Sequence, residues 1–147
     1  MNCLIDKKVN KTSAQDCKQT PIDLAKTLIN MVPIKNEHTI YEPFRGDGNF
    51  YNQFPYVNRK LWSEIKENKD FFNYDGENID WVITNPPWSK ITRILDKLVK
   101  ICDVGFAGHG LQGILLLGVN IDLNALRESA QTGTYHTENL SQVPNDR

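Results

Sequence analysis

An apolar run that ends at two consecutive prolines limits the folds open to this 147-residue chain. Residues 79–84 (IDWVIT) have the length and composition of a strand buried in a parallel sheet, and Asn85-Pro86-Pro87-Trp88 follows directly. Proline lacks a backbone N–H, so the strand must end there with carbonyls that have no ladder partner. The sequence therefore predicts a stiff rim of hydrogen-bond acceptors with an indole ring beside it. The simpler alternative is a strand terminator with a core tryptophan.

Short apolar strands and amphipathic segments alternate along the chain. A helix is predicted over 20–32, with Thr20 as its cap and Pro21 at its first position. Strands are predicted over 38–41, 60–65, 79–84 and 113–119, and helices over 91–102 and 121–131. The sequence that follows the turn at 42–50 is also helical in character. This alternation predicts an α/β fold, a mostly parallel sheet with flanking helices.

Composition divides the chain into three regions. Residues 1–19 are polar and are predicted to be a flexible leader, whose lysines could touch a phosphate backbone or could simply be solvated. Residues 20–130 are predicted to form one domain, and residues 131–147 a polar tail. The 17 basic and 18 acidic residues leave a net charge of −1, so any nucleic-acid binding must be local or supplied by a partner.

Cysteine and histidine usage bounds the compartment and the chemistry. Cys3, Cys17 and Cys102 are odd in number and lack C-x-x-C spacing, which argues against a disulfide framework and a zinc site. The three histidines are scattered and give no metal-ligand spacing. No stretch has the character of a signal peptide or of a membrane span. We therefore expect a cytoplasmic protein with no metal and no membrane association.

A glycine-bearing turn follows the first predicted strand. In Glu42-Pro43-Phe44-Arg45-Gly46-Asp47-Gly48, the glycines would let backbone approach a ligand at the carboxyl end of a strand. Glu64, 22 positions beyond Glu42, ends the next predicted strand, where nucleoside-binding α/β domains place a carboxylate for ribose hydroxyls. An ordinary turn and a solvated surface glutamate are the alternatives.

Together these motifs resemble those of the class I S-adenosylmethionine-dependent methyltransferases that modify N6 of adenine in nucleic acid. The resemblance runs from Thr20 to about Val119 and keeps the family's order: a Thr-Pro helix start, a glycine loop, an acid, an Asp-Phe pair and Asn-Pro-Pro-aromatic. Glu42 stands where aspartate is commoner. The last motif is shared with enzymes that act on cytosine N4 and on protein glutamine. The fold implied by the resemblance is Rossmann-like.

The resemblance also implies which residues bind S-adenosylmethionine. Those near its methionine end would be Thr20, Pro21, Glu42, Pro43, Phe44, Gly46 and Gly48. Glu64 would hold the ribose, and Ile65 would pack on the adenine ring. Asp70 would accept from the adenine amino group, with Phe71 beside it. A turn cap is the alternative role for Asp70.

The same resemblance implies that Asn85, Pro86, Pro87 and Trp88 are catalytic. The exocyclic amine of adenine is a poor nucleophile because its lone pair is delocalised into the ring. The Asn85 side-chain oxygen and the Pro86 carbonyl could each accept one N–H and aim the nitrogen at the methyl group. Trp88, with Phe44 or Phe50 nearby, would sandwich a flipped-out base. This chemistry requires no metal.

The C-terminal part is shorter than the family fold. Only 28 residues follow Val119, and they lack the alternating β-branched runs of an antiparallel hairpin, so C-terminal strands are expected to be missing. A protein partner or a second copy could complete the sheet or supply target recognition. DNA is preferred over RNA on the resemblance alone. RNA adenine, protein glutamine and a catalytically silent partner subunit remain the alternatives.

Overall fold

The computed structural model describes residues 19–75, 78–103, 113–116, 119–121 and 123–132. The predictions for the leader before residue 19 and for the tail after residue 132 lie outside these ranges. The three helices described are α1 (Ile22–Asn30), α2 (Ile91–Asp103) and α3 (Leu123–Thr132). The strands are β1 (Thr39–Glu42), β2 (Arg59–Trp62), β3 (Trp81–Thr84), β4 (Gly113–Leu116) and β5 (Val119–Ile121).

The strands form one sheet in the order β2-β1-β3-β4-β5. The first four are parallel and β5 is antiparallel to β4. The predicted α/β arrangement, a mostly parallel sheet with flanking helices, is therefore confirmed. Because the chain passes from β1 to β2 on one side and from β3 to β4 on the other, the loops that follow β1 and β3 leave the sheet in opposite directions. Open α/β sheets bind ligands in the crevice that such a divergence creates.

Helices cover both faces of the sheet because alternate strand residues point to opposite sides. Ile40 and Ile83 belong to the hydrophobic cluster of α1, whose other members are Ala25, Leu28, Ile29, Phe50 and Phe54. The adjacent residues Tyr41 and Val82 belong to the opposite cluster, whose other members are Phe71, Ile79, Ile94, Leu95, Leu98, Ile101, Ile114 and Leu126. Among the described residues, no helix is both long and apolar enough to cross a bilayer.

Two hydrogen bonds to His38 connect the segments at the amino end of the sheet. The His38 Nδ1 accepts hydrogen bonds from the Lys35 backbone N–H and from the Trp81 indole N–H, each at 3.0 Å. Trp81 also packs across the chain at Gly113, where an added Cβ would lie 2.4 Å from the indole ring. Glycine is therefore required at the start of β4 by this close approach.

Two predicted element boundaries in the first half of the chain are wrong. Thr20 does not cap α1: the helix begins one residue after Pro21, whose carbonyl accepts from the Ala25 N–H at 3.0 Å. The second strand ends at Trp62 instead of reaching Ile65, because Glu64 pairs with Lys69 across a tight turn. Hydrophobicity alone does not mark that turn.

The predicted strand over 113–119 is also wrong, since β4 ends at Leu116 and a separate strand begins at Val119. Leu116 pairs with Val119, and the two strands run antiparallel. An antiparallel strand is thus present where the tail composition predicted none. After the glycine turn, the predicted helical stretch is a single 3-10 helix, Tyr51–Gln53. The predicted segment after β5 does form a helix, α3.

Candidate functional site

A cavity of about 620 Å³ opens at the carboxyl ends of β1, β2 and β3. Residues from the glycine loop after β1, from the segment after β2 and from the start of α2 line it. Of the predicted site residues, the lining contains Thr20, Glu42, Pro43, Phe44, Gly46, Glu64, Ile65, Asp70, Phe71, Asn85 and Pro87. Pro21, Gly48, Pro86 and Trp88 are outside it. Most of the motifs that are separate in sequence thus meet at one edge of the sheet.

The glycine loop requires its glycines for conformation and for space. Gly46 has φ +54° and Gly48 has φ +90°, values that side chains rarely tolerate. A Cβ at Gly46 would lie 2.7 Å from the Gln19 side-chain amide, at the wall of the cavity. A Cβ at Gly48 would instead lie 2.9 Å from the Asn52 side chain. Gly46 therefore shapes the cavity, whereas Gly48 shapes the turn behind it.

Glu42 is a buried carboxyl at the end of β1. Only 1% of its surface is exposed, and its Oε1 accepts from the Phe44 N–H at 3.1 Å. Burial raises the pKa of Glu42 to about 8, against the lowering influence of the Thr84 hydroxyl and the Phe44 amide. The Thr84 hydroxyl is close to this carboxyl but makes no hydrogen bond of good geometry in the described part of the chain. Near neutral pH the Glu42 carboxyl is mostly protonated and can donate to a ligand.

Replacing Glu42 by glutamine should change how stability depends on pH. The folded protein keeps the Glu42 proton up to about pH 8, while the unfolded chain releases it near the ordinary value of 4.5. The Glu42 contribution to the free energy of unfolding therefore falls across that window, by up to about 1.4 kcal/mol per pH unit. Urea unfolding of both proteins across the window should show that the free energy of unfolding of Glu42→Gln increases relative to that of the wild type as pH rises. Curves that stay parallel would contradict a protonated Glu42.

Glu64 fixes the glycine loop against the segment that follows β2. Its Oε2 accepts from the Gly46 N–H at 2.8 Å and its Oε1 from the Lys66 N–H at 3.1 Å. A carboxylate has about four acceptor positions, so the Glu64 oxygens can accept two further hydrogen bonds from a ligand. The neighbouring Ile65 side chain is 64% exposed although it lines the cavity. It presents an uncovered apolar surface to a ligand.

Two cationic side chains pack on the Trp62 ring, next to the part of the cavity that Glu64 and Ile65 line. The Arg45 guanidinium and the Lys69 ammonium each lie 3.8 Å from the centroid of the Trp62 ring. Arg45 also forms an ion pair with Glu67. Since Arg45 belongs to the glycine loop, these contacts hold the loop to β2 and to the turn after it.

Asp70 caps a turn and also lines the cavity. Its Oδ1 accepts from the Phe72 N–H at 2.9 Å, at the start of the 3-10 helix Phe71–Asn73. Phe71 is 2% exposed and belongs to the core. The centroids of the Phe71 and Phe44 rings are 5.0 Å apart. The predicted contact of Phe71 with a ligand is therefore confined to the small part of its surface that reaches the cavity. The half-buried Phe72 lines the cavity as well.

The Asn-Pro-Pro-Trp rim is partly turned away from the cavity. Asn85 and Pro87 line it, whereas the 39%-exposed Trp88 does not. The Trp88 indole N–H donates to the Asn85 Oδ1 at 3.3 Å. That hydrogen bond is long and at the surface, so a ligand amine can exchange with it at small cost. In this conformation, Trp88 holds Asn85 and does not cover the cavity.

Several residues that line the cavity are not among those predicted from the sequence, namely Gln19, Arg45, Asn49, Lys66, Phe72, Asn73, Ser89, Lys90 and Arg93. Most follow a predicted site residue within a few positions. Lys90 and Arg93 are cationic residues on the first helical turns after the Asn-Pro-Pro-Trp motif that ends β3. That position is the sequence signal that could have indicated them. Phe50, which was predicted to lie near the site, does line the cavity.

Comparisons of the chain with family models, with curated proteins and with solved structures found no match. Within the described ranges, no group of three or more His, Cys, Asp or Glu side chains could hold a metal ion. The assignment of function therefore depends on the motifs of this sequence and on the geometry of this cavity.

Proposed function

We propose that this chain has a Rossmann-like class I methyltransferase fold and transfers a methyl group from S-adenosylmethionine to N6 of adenine in nucleic acid, with DNA the preferred substrate. The observation that carries the proposal is the convergence of Gly46, Glu64, Asp70 and Asn85 on one cavity. These residues belong to four motifs that are far apart in the sequence, and each has a distinct role toward the cofactor or the adenine.

The amino-acid end of the cofactor fits the part of the cavity near Thr20 and Glu42. Thr20 lines the cavity and is 4% exposed, and its buried hydroxyl makes no hydrogen bond within the described residues. A buried hydroxyl without a partner costs about 1 to 3 kcal/mol, and a ligand carboxylate or ammonium would relieve that cost. Glu42 can donate when protonated or hold an ammonium group when ionised. Gly46 leaves the space that such a ligand needs.

The nucleoside end of the cofactor fits the segment after β2. The remaining acceptor positions of Glu64 suit the two ribose hydroxyls. The exposed Ile65 side chain offers an apolar surface to the adenine ring, and Asp70 offers a carboxylate oxygen to its amino group. Polarity and order along the segment thus agree with an adenosine.

Asn85 and Pro86 would act on the target adenine. When bound, the cofactor supplies an electrophilic methyl group on a sulfonium. The Asn85 amide oxygen accepts one N–H of the target amine, displacing the Trp88 indole N–H, and the Pro86 carbonyl, which lies outside the cavity lining in this conformation, must turn inward to accept the other. This localises the lone pair on nitrogen and orients it. A neutral amide is suited to this role, because it binds without a counter-charge and the proton leaves to solvent after transfer.

Replacing Ile65 by serine should weaken S-adenosylmethionine binding by roughly fivefold, because about 1 kcal/mol of apolar burial on the adenine ring is lost. The folded state should be little affected, since the Ile65 side chain is mostly exposed. Isothermal titration of the wild type and of Ile65→Ser measures the change directly.

Val57 provides the matched control. It is 61% exposed, β-branched and outside the cavity, so Val57→Ser should bind the cofactor as the wild type does. Equal weakening by both substitutions would mean that the effect is general and not a contact with the cofactor. No binding by the wild type at millimolar cofactor would remove the basis of the proposal.

One observation favours a second candidate, a catalytically silent methyltransferase-like subunit. The Asn85 oxygen already accepts the Trp88 N–H, so the acceptor proposed for the target amine is occupied by a side chain of the protein itself. A silent subunit would bind cofactor and transfer no methyl group to DNA, RNA or a glutamine-containing peptide. Competition among these three substrates in a transfer assay separates an active enzyme from the silent form and identifies its substrate class.

A further inference from the structure

We propose that Lys66, Lys90 and Arg93 form an anion subsite at the rim of the cavity, and that it binds the backbone phosphates on either side of the target nucleotide. The inference rests on the proposed function and specifies its substrate as a nucleic-acid strand instead of a protein amide. All three side chains are exposed and line the cavity. None of the site motifs includes them.

The charge of these residues is not neutralised by a carboxylate in the described part of the chain. Within that part, none of the three forms an ion pair, whereas Arg45 of the same cavity is paired with Glu67. The whole chain has a net charge of −1. A cluster of uncompensated cations on such a chain gives a local positive field where a polyanion can bind.

Arg93 is oriented before any ligand binds. Its guanidinium lies 4.3 Å from the centroid of the Phe72 ring, and the Lys97 ammonium donates to the Phe72 carbonyl at 3.2 Å. These contacts tie the 71–73 turn to α2 on the side where Arg93 leaves the helix. Stacking uses the face of the guanidinium and leaves its in-plane N–H groups for a phosphate. Less side-chain freedom is then lost on binding.

The cations approach the cavity from two sides. Lys66 follows β2, Lys90 and Arg93 follow β3, and these strands flank β1 on opposite sides. The interior has the opposite character, since Glu64 and Asp70 line it. A phosphate is therefore repelled from the interior and attracted to the rim, while an uncharged base can enter. The three cations at the rim would not strengthen the binding of a neutral glutamine side chain.

Fluorescence anisotropy with labelled single-stranded oligodeoxynucleotides tests the subsite. The Lys90→Gln/Arg93→Gln variant should bind oligo-dA and oligo-dT at least about tenfold more weakly than the wild type, and the slope of log affinity against log salt should decrease by about 1.4 for two lost phosphate contacts. The matched control, Lys26→Gln/Lys35→Gln, removes two exposed lysines outside the cavity and should bind within about twofold of the wild type.

Titration with S-adenosylmethionine separates the subsite from the proposed function. The rim variant should bind cofactor as the wild type does. If the rim variant binds both the cofactor and the oligonucleotide more weakly, the cations contact the cofactor and the proposal of a phosphate subsite is wrong. If the rim and control variants bind the strand equally, the subsite is also overturned, even where cofactor binding supports the methyltransferase. Loss of strand binding in a protein that binds no cofactor supports the subsite and removes the proposed reaction. Tighter binding of a glutamine peptide than of either oligonucleotide would overturn the choice of substrate class.

Discussion

Replacing Asn85 by alanine is expected to lower the rate of methyl transfer to adenine by about 100-fold or more, while S-adenosylmethionine binding changes by less than about twofold. In the proposed mechanism, the variant loses the oxygen that would accept an amine N–H of the target base, so the lone pair would no longer be held toward the methyl group. Cofactor contacts are expected from the glycine loop and from the segment after β2, which this substitution does not touch. Single-turnover transfer to an adenine-containing duplex, together with calorimetric titration, measures both quantities.

Two companion variants sharpen this prediction. Asn73→Ala removes the same amide from another position in the lining and should reduce transfer by less than about threefold, because Asn73 has no assigned contact with the amine. Trp88→Phe removes the N–H that donates to Asn85 but keeps an aromatic ring, and it should keep transfer near the wild-type rate. Similar losses from Asn73→Ala and Asn85→Ala would indicate a disturbed cavity and not a catalytic amide.

Replacing Gly113 by alanine is expected to destabilise the fold by about 2 kcal/mol, which lowers Tm by roughly 5 to 8 °C. The added Cβ would lie 2.4 Å from the Trp81 indole. The Trp81 ring cannot move away without losing its hydrogen bond to His38. Gly113 cannot move without disturbing the pairing of β4 with β3. Thermal unfolding followed by circular dichroism gives the change.

A double variant tests the cause of that loss. Trp81→Leu removes the ring that the methyl group would meet, so Gly113→Ala should cost little when it is made in the Trp81→Leu background. The same cost in both backgrounds would assign the effect to the backbone of glycine and not to steric overlap with the indole.

Elements defined by local apolar patterns could be predicted from the sequence. Strand β3 and helix α2 begin and end within two residues of their predicted bounds. The strand is a short, mostly buried run that prolines end, and the buried positions of the helix repeat at the helix period. The end of β2 could not be predicted in this way. There, Asn68 adopts φ +58° and turns the chain back so that Lys69 pairs with Glu64. A left-handed asparagine of this kind is permitted by the sequence but not required by it.

The convergence of the site motifs follows from topology, whereas the directions of their side chains do not. Parallel strands bring their carboxyl ends to one edge, so residues after β1, β2 and β3 had to be neighbours. Whether Trp88 faces the cavity or the Asn85 amide is decided by a rotamer, on which motif spacing gives no information. For the same reason, the positions of Lys90 and Arg93 after the Asn-Pro-Pro-Trp motif do not show that their side chains line the cavity.

The three indole rings of this chain occupy three separate surroundings. Trp88 is exposed at the rim, Trp62 lies between cations that belong to the glycine loop and to the turn after β2, and Trp81 is fixed at the opposite end of the sheet. The emission of an indole responds to nearby charge and to water. The protein therefore contains its own optical probes, with Trp62 reporting the position of the glycine loop, Trp88 the state of the rim, and Trp81 serving as an internal reference remote from both.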